Sequence, residues 1–213
     1  MDRIAVNDVS NAVIAVAILA GGDSFRMGQD KASLSDNSPA LIERQVSDLR
    51  NLSDSMPIFI CAGSRRYVEL NVHNVRHVSD AVKSAGPLAG ILQVLESVAD
   101  AGLGDGYVLV VPTDSLVPPS SVYRLLTDSI SFGSKVVLLQ AERLHPLHGL
   151  FSATLASRMR NYVESGGRSV MGFLDHQPWE TVTAPSEWEP CLNFNTPEEY
   201  DRAVSAFAKM TSV

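Results

Sequence analysis

The sequence predicts an α/β protein, a single domain with a mainly parallel sheet and helices on both faces. Three observations carry this. Short apolar runs alternate with segments of helical spacing along most of the chain, the pattern of strand–helix–strand units. The length of 213 residues suits one domain built on one continuous sheet. Two of the apolar runs end in polar, glycine- or aspartate-bearing loops, and in such sheets ligands bind beyond the carboxyl ends of the strands.

The elements follow in order. Residues 1–11 are polar and aperiodic and read as a loose tail, leaving 12–213 as the domain. Val13–Leu19 is a continuous apolar run, a buried strand. Residues 39–52 place Ile42, Val46 and Leu49 on one face behind Pro39, which predicts a helix. Residues 57–62 form a second buried strand closed by Gly63, and Val75–Val78 a short third one. After Gly86-Pro87, the residues Leu88, Ile91, Leu92 and Leu95 share a helical face. Residues 107–111 are a further apolar strand that runs into Pro112-Thr113-Asp114. Pro118-Pro119 opens a helix with Val122, Leu125 and Leu126 inward. Residues 135–140 read as a strand, and 145–151 as a strand returning antiparallel. A helix over about 153–164 is broken by Gly166-Gly167, and a short one begins at Ser169. Residues 180–182 read as an edge strand. Thr196-Pro197-x-Glu199 is a helix start, with the cap, the proline and the acidic residue in their expected places.

Composition excludes several classes. The chain is 45% hydrophobic and 19% charged, with a net charge of −7, which does not suit a nucleic-acid backbone as main partner. The first apolar run is too short to span a membrane, and Asp2, Arg3 and Asp8 precede it in place of a basic leader. Neither a membrane nor a secretory route is expected, and the expected compartment is the cytoplasm. The two cysteines, Cys61 and Cys191, show no pairing or metal-ligand spacing and read as free thiols.

The richest segment is Leu-Ala-Gly-Gly-Asp-Ser-Phe-Arg-Met-Gly-Gln-Asp-Lys at 19–31. Glycines let backbone N–H groups approach an anion, and Arg26 and Lys31 suit a polyphosphate. The spacing is neither Gly-x-x-x-x-Gly-Lys-Ser/Thr nor Gly-x-Gly-x-x-Gly. Backbone from Leu19 through Ala20 and Gly21 to Gly22 is expected to line a base and ribose. Arg26 and Lys31 are expected to hold the triphosphate and offset charge on the leaving pyrophosphate. Asp30 reads as orienting Lys31 or capping the next helix. Asp114, directly after a buried strand, is either the cap of the following turn or a carboxylate for Mg²⁺, which characteristically takes one or two protein carboxylates plus phosphate and water. Asp80 is a turn aspartate near Gly86 and Gly90, glycines that serve either ligand approach or tight helix packing.

Taken together these segments resemble the molybdenum cofactor guanylyltransferase (MobA) family. The matching stretches are 19–31, Asp80 with Gly-Pro-Leu-Ala-Gly at 86–90, Pro-x-Asp at 112–114 and Pro118-Pro119. His145-Pro146, Gly167-Arg168-Ser169-Val170 and Asn-Phe-Asn-Thr-Pro at 193–197 follow in the same order. The resemblance implies a Rossmann-like nucleotidyltransferase fold, GTP as donor, Mg²⁺, and molybdopterin as acceptor. It assigns GTP contacts to Leu19, Ala20, Gly21, Lys31, Asp80 and Asp114, with Asp114 also on the metal. The labile product implies molybdoenzymes or their chaperones as partners. Cys61 stands where the family often has Asn, and a thiol cannot replace the paired donor and acceptor of an amide. That contact is therefore not carried over. Thr113, Ser115 and the polar stretch 33–39 also depart from the pattern.

The later polar clusters remain for the acceptor: His145, Arg168, Asn193 and Asn195, with metal contact the other role open to the asparagines. His145-x-x-His148 lacks a third ligand nearby and reads as a solvent-facing or hydrogen-bonded pair. Trp179 and Trp188 read as packing residues. Two other functions fit the same residues less well. One is a cytidylyltransferase or sugar-phosphate nucleotidylyltransferase of the same fold; the other is a non-catalytic nucleotide or cofactor carrier.

Overall fold

The computed structural model describes residues 13–21, 40–63, 67, 70, 73–78, 86–130 and 133–211. The expected tail at 1–11 and the expected site residues Gly22, Arg26, Lys31 and Asp80 lie outside these. The described chain forms β1 (Val13–Leu19), α1 (Leu41–Leu52), β2 (Ile58–Cys61), β3 (Val75–Val78), α2 (Gly86–Asp100), β4 (Tyr107–Pro112) and α3 (Pro119–Thr127). It continues with β5 (Val136–Gln140), β6 (Leu144–Ser152), α4 (Ala156–Glu164), α5 (Val170–Leu174), β7 (Trp179–Thr183) and α6 (Pro197–Thr211). Single-turn 3₁₀ segments stand at Ala153–Leu155 and Ser186–Cys191.

One seven-stranded sheet has the order β3-β2-β1-β4-β6-β5-β7. Strands β1 to β4 pair in parallel, and β5 pairs in parallel with β7. Only β6 runs against its neighbours β4 and β5. The expected antiparallel return and the edge position of β7 are both present, and the fold is the predicted single α/β domain.

Alternation along the strands sends side chains to two cores. In β1, Val16 and Ile18 face the layer of α1, α3 and α6, where they meet Leu41, Ile42, Val122, Leu126, Tyr200 and Ala203. Ala15, Ala17 and Leu19 face the layer of α2, α4 and α5, with Leu88, Leu92, Met159 and Phe173. Both faces of the sheet are thus covered, which is why the strands read as unbroken apolar runs. Gly90 permits one close approach: a Cβ there would stand 3.1 Å from Cys61 Cβ and 3.2 Å from Leu19 Cδ2. Of the two roles open to Gly90, packing of α2 on the ends of β1 and β2 is the observed one. Gly86, at the start of α2, has φ +58°, a conformation that favours glycine.

Helix starts differ in detail from the sequence pattern. Thr196 caps α6 through the Glu199 N–H at 3.2 Å, as expected, but the Glu199 carboxylate accepts from Asn195 N at 2.6 Å, one residue further out than a capping box. Trp188 packs half-buried on the first core, whereas Trp179 is 38% exposed on the edge strand. A packing role fits Trp188 alone, because an edge strand offers its outer residues no covering layer. The 3₁₀ turn before α6, carrying Pro190 inside it, has no clear period in the sequence.

Candidate active site at the strand ends

The order of the sheet reverses between β1 and β4: from β1 the chain moves outward through β2 and β3, then returns to β4 on the other side. A crevice at such a switch point is where open α/β sheets bind ligands. Leu19 pairs with Pro112 at the carboxyl ends of these two strands. Thr113 N donates to Leu19 O at 3.1 Å, and Thr113 Oγ1 to the same oxygen at 3.3 Å. On the other side, Ala20 N donates to Cys61 O at 2.9 Å. The start of the glycine loop is therefore clamped between β2 and β4, directly beside Asp114. Leu19 and Ala20 are buried while Gly21 is exposed, so the chain emerges into the crevice at the glycine.

Cys61, at the carboxyl end of β2, packs against the first turns of α2. It is 3% exposed, and its Sγ approaches Gly90 O at 3.5 Å. The thiol packs under α2, which accounts physically for a residue other than Asn at this position.

The Asp114 loop is held from three directions. Gln45 of α1, 4% exposed, donates from Nε2 to Pro112 O at 2.9 Å and Ser115 O at 3.4 Å. Asp48, one turn on, accepts from Ser120 N at 2.7 Å and Ser120 Oγ at 2.8 Å. It thereby caps α3 from another helix. The third brace is the segment before α6. Leu116 N donates to Cys191 O at 2.9 Å, Ser115 Oγ to Cys191 O at 3.3 Å, and Phe194 N to Asp114 O at 3.3 Å. Phe194 is fully buried, its ring 5.0 Å from that of Tyr200. That anchor draws Asn193 and Asn195 alongside Asp114 from 80 residues away in sequence, while Glu199 fixes the Asn195 backbone.

Among the described residues no group of three or more His, Cys, Asp or Glu could hold a metal ion. Asp114 is a hard-oxygen donor on the rim, only partly buried. This donor set suits a cation that takes few protein ligands and completes its shell from phosphate and water, as Mg²⁺ does.

The two histidines are not solvent-facing. His145 is 5% and His148 2% exposed, and their rings meet edge to face at 5.8 Å. His145 Nε2 lies 3.4 Å from Glu189 Oε2, which also accepts from Glu142 N at 3.0 Å, while Arg143 reaches the other oxygen at 3.4 Å. This cluster ties the β5–β6 turn to the 3₁₀ segment. Burial lowers the His145 pKa against the opposing pull of Glu189, and burial followed by the nearby His145 lowers that of His148 to about 3. Both rings are neutral near pH 7. Arg168 donates from Nη1 to Val163 O at 2.8 Å and Gly167 O at 2.7 Å, closing the end of α4. Neither Cys61 nor Cys191 is in a disulfide, both are buried, and burial raises the Cys191 pKa to about 11. No described helix is long and apolar enough to cross a membrane.

Sequence reasoning missed Gln45, Asp48 and Glu189. Gln45 carried a readable signal, being a polar residue on the apolar stripe of Ile42, Val46 and Leu49. Asp48 and Glu189 carried none, since their partners lie 72 and 44 residues away.

Comparison with known proteins places the chain in context. The MobA-like NTP transferase domain profile matches residues 16–179. The Rhizobium meliloti protein named "Molybdenum cofactor guanylyltransferase" is 32% identical over 195 residues, 87% of this chain and 88% of that one. The Opitutus terrae protein named "Probable molybdenum cofactor guanylyltransferase" is 30% identical over 197 residues, 90% of this chain and 95% of its own length. Among solved structures, molybdopterin-guanine dinucleotide biosynthesis protein A of Archaeoglobus fulgidus superposes with a TM-score of 0.69 at 21% identity. The match covers 92% of this chain and all of that one, a likeness of fold.

Proposed function

The chain belongs to the MobA-like NTP transferase family, among relatives of the molybdenum cofactor guanylyltransferases, and from that premise we propose that it transfers GMP from GTP to molybdopterin. An oxygen of the acceptor's terminal phosphate attacks the α-phosphorus of GTP. The bond from that phosphorus to the bridging oxygen breaks, and pyrophosphate leaves with the electron pair. The products are the guanine dinucleotide form of the cofactor and pyrophosphate. The nucleophile is already an anion, so no general base is needed, and positioning with charge neutralisation supplies the catalysis.

The observation that carries this reading is the hydrogen-bonded junction of the β1 and β4 ends. It brings Leu19 and Ala20, where the chain enters the glycine-rich segment, to the strand end that leads into Asp114 at the topological switch point. In this reading backbone from Leu19 to Gly22 contacts the base and ribose with Asp80, and Arg26 and Lys31 hold the phosphates. Asp114 would hold Mg²⁺, which when bound neutralises phosphate charge. Asn193 and Asn195, drawn in next to Asp114, and Arg168 serve the acceptor. His145 enters only as the residue that orients Glu189, since its exposed surface is small. Molybdoenzymes or their chaperones are the consumers this product implies.

The test is pyrophosphate release with each of the four NTPs, with Mg²⁺, with and without molybdopterin. Release that requires both GTP and molybdopterin is expected. Equal release with CTP, or binding of GTP without turnover, would overturn the assignment.

A further inference from the structure

We propose that Gln45 is a positioning residue for Asp114, built into α1 to hold the loop that presents the metal-binding carboxylate. This rests on the reading of Asp114 as the Mg²⁺ ligand. The Gln45 side-chain amide spends both N–H groups on one loop, at the carbonyls of Pro112 and Ser115, two residues before Asp114 and one after it. The orientation of the amide follows from these partners, because a flipped amide would set its oxygen against two carbonyl oxygens. With Phe194 N on the carbonyl of Asp114 itself, the carbonyls of Pro112, Asp114 and Ser115 are all engaged.

The other end of the Gln45 amide makes the case sharper. Oε1 is buried and has no hydrogen-bond partner among the described residues. Burying an acceptor unpaired is unfavourable, and an apolar side chain of equal length would avoid it. Glutamine in the apolar stripe of α1 is thus not explained by packing. It is explained by the two bonds at its donor end, which fix the loop around Asp114. Groups that orient a metal ligand are part of the site although they touch neither metal nor substrate.

Gln45→Met separates this role from a merely structural one. It keeps the length of the side chain, removes both bonds and removes the orphaned acceptor, so the melting temperature should change little. Mn²⁺ binding is read by electron paramagnetic resonance in the presence of a GTP analogue with a non-transferable α,β-methylene link. Affinity for Mn²⁺ should fall by about 10–100-fold. Metal-free binding of the analogue should not change, and excess metal should restore turnover with GTP. A structural role would instead lower the melting temperature and leave the metal midpoint of the folded protein alone. Asp114→Asn is measured in parallel. If it abolishes Mn²⁺ binding while Gln45→Met leaves the midpoint unchanged, the proposal for Gln45 is wrong and the reading of Asp114 stands. If Asp114→Asn binds Mn²⁺ normally, the reading of Asp114 fails and takes this proposal with it. Gln45→Leu is the second variant. Loss of the fold in both variants would also overturn the proposal, since Gln45 would then be required for folding.

Discussion

Replacing Asp48 with alanine should loosen the junction between α1 and α3 by an amount the structure lets one work out. The carboxylate accepts two bonds, one from the Ser120 backbone N–H and one from its hydroxyl. The first caps α3, whose own N-cap residue, Pro118, offers no side-chain acceptor. Loss of a capping acceptor costs about 1–2 kcal/mol, and the bond to the hydroxyl contributes about 1 kcal/mol more. Asp48→Ala should therefore destabilise the protein by about 2–3 kcal/mol, a fall of about 4–12 °C in melting temperature for a chain of this size. Asp48→Asn keeps one acceptor and should lose about half as much. Ser120→Ala removes only the hydroxyl bond and should cost about 1 kcal/mol. In the Asp48→Ala background Ser120→Ala should cost almost nothing, because its partner is already gone. Thermal and urea denaturation of the native chain and these four variants measures all of this. Additive losses from Asp48→Ala and Ser120→Ala, or a melting temperature for Asp48→Ala equal to that of the native chain, would refute the assignment of this pair as the cap of α3.

Other outcomes follow from single sites. Gly149→Ala would put a Cβ 2.6 Å from the Val137 carbonyl oxygen and 2.6 Å from Leu138 Cδ2 in the middle of the sheet; a loss of about 1–3 kcal/mol in urea denaturation is expected. His148 stays neutral in the folded protein down to about pH 3, held there by burial and then by His145, while the unfolded chain takes up a proton near pH 6.5. Stability should therefore be full above about pH 6.5 and decline as the pH falls from there toward 3, by about 1.4 kcal/mol per unit. His148→Gln should give a shallower acid limb in melts at pH 5 and pH 8, and an unchanged slope would contradict the buried neutral ring. Lys31→Ala should weaken GTP binding and slow transfer while molybdopterin binding is nearly retained; calorimetry showing equal loss for both ligands would argue against a triphosphate role.

Much of this protein was legible in the chain because its local and global signals agree. Strand β1 was exact, from Val13 to Leu19, because a sheet covered on both faces requires unbroken apolar strands. Helix α6 was placed by Thr196 and Pro197, whose effects on the first helical turn are local. That β1 and β4 end on one rim followed from alternation of strands and helices, and family membership from motifs spread along most of the chain.

Tertiary structure alone decided the rest. That Asp48 caps α3 cannot be read from either segment, since a cap supplied by another helix depends on where two helices dock. That Gly90 serves packing depends on the distance to Cys61 and Leu19, and a glycine looks the same in sequence whether it faces a ligand or a neighbour. His145 and His148 looked like a polar pair on a returning strand. Both are buried in the assembled sheet, and the 3₁₀ turn at Ser186–Cys191, which has no periodic signature, brings Glu189 to His145. Sequence determines which segments form strands and helices through local periodicity and capping. The contacts that aim Asp114 join residues 67 to 80 positions apart, and they exist only once the sheet and its two helical layers have assembled.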